Sequence, residues 1–141
     1  SSCTIAVQEV KPDEVQQYGI VKPKGEIEAD FEIDAIVEKP AEEDAPSQLA
    51  VAARYIFNPE IFAALQRTTP GYRGKLELTD AIQTLIRMGH TVRCVHLKQE
   101  ELRYDIGNTE SYFKSFIDFA LSDQRYGYLI RQYLQGRLRE F

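Results

Sequence analysis

The chain has 141 residues, which is the length of one domain when roughly 100–200 residues are allowed per domain. Apolar residues make up 43% and charged residues 28%, a composition typical of globular proteins and not of disordered ones. A general nucleic-acid binder is normally basic, and the net charge of −5 argues against that class. We therefore expect no nucleic-acid partner. No stretch approaches ~20 consecutive apolar residues, so we expect no membrane span.

The cysteines and the first residues limit the class further. Cys3 and Cys94 are the only cysteines and form no CxxC pair, so neither a disulfide framework nor a zinc site is predicted. The first residues have no basic segment and no apolar run, so a signal peptide is not predicted and we expect a cytoplasmic protein. Apolar alternation begins directly at Thr4, whereas domain boundaries usually lie in polar linkers. We therefore interpret the chain as a piece of a longer protein.

Strands are predicted mainly in the first part of the chain. The run 49–57 is almost continuously apolar, which indicates a strand buried on both faces. Pro40 ends the strand before it, because proline removes a donor from the ladder, and an exposed loop is expected over 41–47. Apolar alternation and apolar runs predict five extended segments in all, over residues 4–10, 19–21, 33–37, 49–57 and 91–97.

The first predicted helix follows the fourth strand. Asn58 is a suitable cap, and Pro59 suits the first helical position. Helical spacing predicts an inward face made by Ile61, Phe62 and Leu65.

A second helix is predicted between Thr79 and Gly89. Thr79 is the expected cap, and Gly89 provides the stop. Ile82, Leu85 and Ile86 are expected to face inward.

The last two helices, over about 109–136, are rich in aromatic residues. The first of them has a broad apolar stripe at helical spacing, and Asp123 is the expected cap of the second. These helices either pack onto the sheet of their own domain or form a subunit contact, since tyrosine is enriched at interface cores. On the second interpretation the protein is a homo-oligomer. The stripe and the apolar residues of the second helix are Tyr112, Phe113, Phe116, Ile117, Ala120, Leu121, Tyr126, Leu129, Ile130, Tyr133 and Leu134.

Signatures of catalysis that stand alone are absent from the sequence. It contains no GxSxG, no HExxH and no glycine-rich phosphate loop. His90 and His96 are six residues apart, which does not suit metal ligation on one helix face. Binding chemistry is therefore expected in shorter segments.

The segment 18–21, YGIV, is the first candidate. A glycine inside a strand weakens pairing and often marks a close approach of backbone and ligand, so Gly19 is a candidate binding position. A bulge or a turn explains the same glycine without a ligand.

The segment 37–40, VEKP, is the second candidate, because it places opposite charges side by side at a strand end. On a regular strand Glu38 and Lys39 point to opposite faces, but at an end that Pro40 disrupts both can reach one ligand. The alternative is a pair of solvated charges.

The segment 103–108, RYDIGN, is the third candidate. Its carboxylate, Asp105, precedes a predicted helix. Such an aspartate is suited either to ligating Mg²⁺ or to capping the helix.

Five segments taken together resemble the second half of the sugar-1-phosphate nucleotidyltransferases, with most likeness to their uridylyltransferase branch. In chain order they are YGIV, VEKP, LAVAARYIFNPEIF, GKLELTDAI and RYDIGNTESY. The resemblance implies an α/β fold, part of a GT-A-like α/β/α sandwich around a mixed β-sheet, with the N-terminal nucleotide-binding half missing. Residues 1–141 are then the C-terminal portion of a single domain, on its sugar-phosphate side.

The resemblance also implies roles for individual residues. Gly19 matches a backbone position that contacts the sugar, and Val51 matches a sugar-contacting strand position. Glu38 matches the carboxylate that accepts sugar hydroxyls, and Lys39 matches the lysine that pairs with the sugar's phosphate and serves the reaction. Asp105 matches one of two metal-binding aspartates, so Mg²⁺ is the implied cofactor. The chain departs from the family at Ala53, where the family often has glycine, and at Lys75, where it often has glutamate.

The implied reaction forms UDP-glucose and pyrophosphate from UTP and glucose 1-phosphate, so the implied partners are a sugar phosphate and a nucleoside triphosphate. Its chemistry requires charge neutralisation and alignment, so the lack of a catalytic His or Ser is no objection. Two alternatives stay open: a non-catalytic binding or assembly module that retains the fold, and a related transferase that uses dTTP, GTP or CTP. The 141 residues alone are expected to be inactive.

Overall fold

The computed structural model describes residues 1–71, 74–98, 101, 104 and 106–139. The chain divides into two compact units, Ser1–Glu101 and Leu102–Phe141. None of the helices in the described ranges combines the length and the apolar character that a membrane crossing requires.

The first unit contains all five predicted strands, and their predicted positions are confirmed to within a few residues. Short 3₁₀ helices over Pro12–Gln17 and Glu42–Asp44 lie in the connections. The strands are β1 (Cys3–Glu9), β2 (Gly19–Pro23), β3 (Asp30–Glu38), β4 (Leu49–Phe57) and β5 (Val92–His96).

The five strands form one mixed sheet in the hydrogen-bonded order β1–β4–β2–β3–β5. The sheet closes on itself, because β5 also pairs with β1. That pairing is parallel, whereas the other four are antiparallel. The mixed sheet and the α/β fold class are therefore as expected. The largest core cluster is apolar, and its fully buried members include Ile5, Val7, Val21, Ile82, Leu85, Val92 and Cys94.

β4 has two differently buried halves, so the expectation of burial on both faces is right only for its first four residues. Leu49 to Ala52 are buried, whereas Ala53, Arg54 and Ile56 are exposed. The register of β1 and β4 shifts between Ile5 and Val7, and Ala53 has a left-handed φ of 52° at this irregularity. After Ala53 the ladder pairs β4 with β1 and no longer with β2. The second half of the strand therefore has a paired strand on one side only.

Helix α1 covers Glu60–Arg67 and begins one residue later than predicted. Its cap residue is Pro59, and the side-chain amide of Asn58 donates to the carbonyl of Ser1 instead of capping. Ile61 is buried as expected, but Phe62 is 67% exposed, so its predicted inward orientation is wrong.

Helix α2 covers Leu78–Arg87 and starts from Glu77, not from Thr79. The backbone N–H of Glu77 donates to the Asp80 carboxylate, which supports the first turn. Thr79 already lies within the helix, so the prediction that it caps is wrong. Ile82 and Leu85 are fully buried as predicted, and Gly89, with a φ of 86°, follows the helix as the expected stop.

The second unit contains helices α3 (Thr109–Ser122) and α4 (Gly127–Arg137). The Asn108 side chain caps α3 by accepting from the backbone N–H of Ser111. Asp123 accepts from two backbone N–H groups in the turn before α4, whose cap residue is Tyr126. In α3 the exposed residues include Tyr112, Phe113, Phe116 and Ile117. In α4 helical spacing predicts that Tyr126, Leu129 and Tyr133 face inward, but these three are exposed.

Candidate functional site

Three of the residues singled out from the sequence lie in one row across neighbouring strands. Gly19 on β2 is the ladder partner of Glu38 on β3. On its other side, the pairing of Ile20 with Ala50 places Gly19 beside Val51 on β4. The three-strand row is therefore Glu38, Gly19 and Val51.

The row explains physically why a glycine occupies position 19. A Cβ on Gly19 would lie 3.2 Å from Oε2 of Glu38 and 3.5 Å from Cγ2 of Val51. The first distance is closer than ordinary van der Waals contact. The Glu38 carboxylate thus lies against the bare backbone of β2, and a side chain there would displace it.

Thr79 of α2 completes the cluster from outside the sheet. Its hydroxyl donates to Oε2 of Glu38 at 2.7 Å and lies 3.2 Å from the position of a Cβ on Gly19. The sequence did not predict this role, because the position of Thr79 before a helical pattern favours capping. Two signals were available: Thr79 lies inside the segment GKLELTDAI, and Asp80 supplies the carboxylate that the first turn needs.

The carboxylate of Glu38 is mostly shielded from water, and its two oxygens have different partners. Its side chain is 13% exposed, and Oε2 accepts the hydrogen bond from Thr79. Oε1 lies 4.0 Å from Nζ of Lys39, which is an ion-pair distance and longer than a hydrogen bond. A carboxylate oxygen can accept more than one hydrogen bond, so this arrangement suits recognition of a further hydroxyl donor.

Lys39 reaches the carboxylate because the chain turns sharply at the end of β3. Its backbone has a left-handed φ of 46°, which is uncommon for a residue with a side chain. Its N–H donates to the carbonyl of Tyr18 at 3.0 Å, which holds the turn against the start of β2. The strict alternation of a strand ends here, and the half-exposed ammonium group lies near Glu38 and not across the sheet from it. Strained backbone of this kind often occurs at functional sites.

The charge of Glu38 acts on Tyr55 of β4, a strand that β2 separates from β3 in the sheet. Burial raises the pKa of the Tyr55 phenol, and the negative charge of Glu38 raises that pKa further. Tyr55 therefore keeps its proton at neutral pH. The surroundings of Glu38 thus combine an ammonium group, a hydroxyl, a phenol and an aliphatic side chain.

Ala53, a position where the resemblance implies glycine, has a backbone conformation that favours glycine. Left-handed backbone is open to glycine and costs other L-residues about 1–2 kcal/mol. The φ of 52° at Ala53 is in that region, and it gives a reason for the glycine that the family often has there. This residue is exposed and lies in the irregular part of β4.

The predicted metal ligand, Asp105, lies outside the described residues. Within the described ranges no group of three or more His, Cys, Asp or Glu side chains is placed to hold a metal ion. Mg²⁺ does not require such a group, because it is often bound by one or two carboxylates together with water and substrate phosphates. A single aspartate therefore fits that donor set.

A family model for nucleotidyl transferases matches residues 1–120, and the chain belongs to that family.

A curated relative and two solved structures are similar to this chain in sequence or in fold. A UTP–glucose-1-phosphate uridylyltransferase of Streptococcus pyogenes serotype M1 is 43% identical over 119 residues, which are 84% of this chain and 38% of that protein. The structure of a UDP-glucose pyrophosphorylase complexed with UDP-glucose has a TM-score of 0.75 and 37% identity, over 83% of this chain and 43% of that one. The UTP-bound UGPase from Acinetobacter baumannii has a TM-score of 0.79 and 28% identity, over 95% of this chain and 45% of that one. This chain spans less than half the length of each.

Proposed function

We propose that the chain is the sugar-phosphate side of a UTP–glucose-1-phosphate uridylyltransferase, the C-terminal portion of a single nucleotidyltransferase domain. The observation that carries the proposal is the cluster of Gly19, Glu38, Val51 and Thr79, with Lys39 at its edge. The names of similar proteins support the choice of UTP and glucose 1-phosphate as substrates.

The cluster suits a hexose because it offers a shielded hydrogen-bond acceptor. Glu38 would accept hydroxyl hydrogens through the oxygen that Thr79 leaves open, and the missing side chain at Gly19 gives that carboxylate its place beside β2. Val51 would provide apolar contact beside the ring. A site built to hydrogen-bond hydroxyls discriminates well, since a buried polar group left unpaired costs about 1–3 kcal/mol.

Lys39 is suited to hold the phosphate of the sugar. A lysine ammonium is a compact charge on a flexible stem, and this one is half exposed beside the carboxylate that binds the sugar. In the reaction a phosphate oxygen of glucose 1-phosphate forms a bond to the α-phosphorus of UTP. The bond from that phosphorus to the bridging oxygen breaks, and its electron pair leaves with pyrophosphate. Lys39 aligns the attacking phosphate and reduces repulsion between the two anions.

Mg²⁺ and Asp105 belong to the same proposal. Asp105 would hold the ion together with phosphate oxygens and water, a donor set that Mg²⁺ accepts. When bound, the ion neutralises charge on the reacting phosphates. A cytoplasmic location and a homo-oligomer are further expectations, the second resting on the exposed aromatic residues of α3 and α4.

The test measures UDP-glucose and pyrophosphate formed from UTP and glucose 1-phosphate by the full-length polypeptide that contains these residues. We expect turnover with UTP to exceed turnover with dTTP, GTP or CTP. We also expect the 141 residues alone to form no product, because their sequence contains no glycine-rich phosphate loop. A full-length polypeptide that binds neither substrate would contradict the proposal and favour a non-catalytic module.

A further inference from the structure

Helix α2 contacts β3 through two polar side chains that lie one helical turn apart. Thr79 donates to Oε2 of Glu38 at 2.7 Å, and Oε1 of Gln83 accepts from the backbone N–H of Ile36 at 2.8 Å. Residues four apart lie on the same face of a helix, so one face of α2 makes both contacts.

The side chain of Gln83 gives the backbone N–H of Ile36 an acceptor at a position that the ladder to β5 does not reach. The ladder between β3 and β5 extends from Asp30 to Glu32 and does not reach Ile36. Ile36 is 3% exposed, and a buried amide without an acceptor is costly. Gln83 therefore substitutes for a strand neighbour just two residues before Glu38.

We propose that Thr79 and Gln83 act as a two-point clamp that positions Glu38 and Lys39 for the sugar phosphate, with Gln83 as a positioning residue that touches no substrate. The inference rests on the proposed function, because it concerns how that site is held. Lys39 has a left-handed backbone, and such a conformation persists only where its surroundings enforce it. The clamp fixes the last residues of β3 from one side, and the bond from Lys39 N–H to Tyr18 fixes the turn from the other.

Paired variants at the two positions separate positioning from simple stability. Gln83→Met removes the acceptor at nearly constant length, and Gln83→Glu restores one. Thr79→Val removes the hydroxyl, and Thr79→Ser restores it. Thr84→Val is the matched control, because the Thr84 hydroxyl donates to the carbonyl of Asp80 within α2 and does not reach β3.

In the full-length enzyme we expect the KM for glucose 1-phosphate to rise about 10-fold to 100-fold in Thr79→Val and about 5-fold to 20-fold in Gln83→Met, as lost buried hydrogen bonds predict. The KM for UTP should stay unchanged, and the serine and glutamate variants should recover most of the loss. A helix that only stabilises the fold would give a lower unfolding temperature with no selective change in KM. That result, or Gln83→Met behaving like Thr84→Val, would overturn the clamp.

Amide hydrogen exchange tests the clamp without requiring activity. The amide of Ile36 should exchange faster in Gln83→Met and return to the original rate in Gln83→Glu, measured on the same full-length protein. Unchanged exchange in Gln83→Met would refute the clamp even if the enzyme makes UDP-glucose. If no UDP-glucose forms but the exchange pattern holds, the proposed function fails and the clamp geometry stands.

Discussion

The two ends of β3 both place acids beside bases, but they differ in what surrounds the charges. At the N-terminal end, Arg93 contacts Asp30 at 2.9 Å and Glu32 at 3.7 Å, and Lys24 lies 3.5 Å from Glu32. All of these side chains are more than one-third exposed. The charges neutralise one another in water, where exposed ion pairs contribute little to stability.

At the C-terminal end the acid is shielded from water and the base is not, since the Glu38 side chain is 13% exposed and the Lys39 side chain 41%. The Glu38 carboxylate lies under Thr79 and against Gly19, and the ammonium group of Lys39 is 4.0 Å away. Charge in such surroundings interacts more strongly, because the effective dielectric constant is lower. An acid and a base at a strand end therefore indicate a site only when neighbouring elements shield the acid and leave part of its hydrogen-bonding capacity open.

Removing a lysine at each end should give the largest difference in activity between the two ends of β3. We expect Lys39→Ala to lower kcat by about 10²-fold to 10³-fold, the loss typical of removing one group that stabilises a charged transition state. Lys24→Ala removes an equal charge from the exposed end and should leave kcat unchanged. Steady-state rates of UDP-glucose formation decide the matter, and equal effects would remove Lys39 from the site.

A side chain at Gly19 should perturb the shielded end by steric means alone. Gly19→Ala places a Cβ 3.2 Å from both Glu38 and Thr79, and overpacking of this kind costs about 1–3 kcal/mol of unfolding free energy. Urea unfolding measures that loss, and the KM for glucose 1-phosphate should rise with it. Gly136→Ala is the control, because a Cβ there meets nothing within 4 Å. A neutral Gly19→Ala would show that the close packing is not required.

The smallest effect is expected at the exposed end. The side-chain hydrogen bond to Asp30 raises the pKa of Arg93, which therefore stays charged at every working pH. Arg93→Ala should nonetheless leave turnover unchanged and the urea midpoint nearly unchanged, most clearly at high salt, where exposed charges are screened. A large loss of activity in this variant would mean that both ends of β3 serve the reaction.

The sequence predicted local features of the fold better than it predicted packing. Apolar alternation located all five strands, and Gly89 marked a helix end, because these features depend on neighbours in the chain. The exposure of Phe62 and of the second half of β4 depends on which elements cover them, and periodicity carries no information about that.

For the candidate site too, the sequence predicted local features better than contacts between distant residues. Gly19, Glu38, Lys39 and Val51 became candidates through the resemblance of ordered segments. The local pattern alone left an ordinary alternative for Gly19, Glu38 and Lys39, and it did not single out Val51. Thr79 was assigned to the wrong role, because a threonine near a helix start is equally suited to capping. Its contact with Glu38 joins residues 41 positions apart, so only the folded chain reveals it.

A matched pair of carboxamide variants tests most directly whether the shielded carboxylate of β3 binds the sugar phosphate. Glu38→Gln removes a charged acceptor, and hydrogen bonds to charged groups are worth about 1.5–3 kcal/mol, so the KM for glucose 1-phosphate should rise about 10-fold to 100-fold. Glu32→Gln makes the same chemical change at the exposed end and should leave that KM unchanged. Equal KM values for the two variants in the full-length enzyme would contradict the assignment of the site.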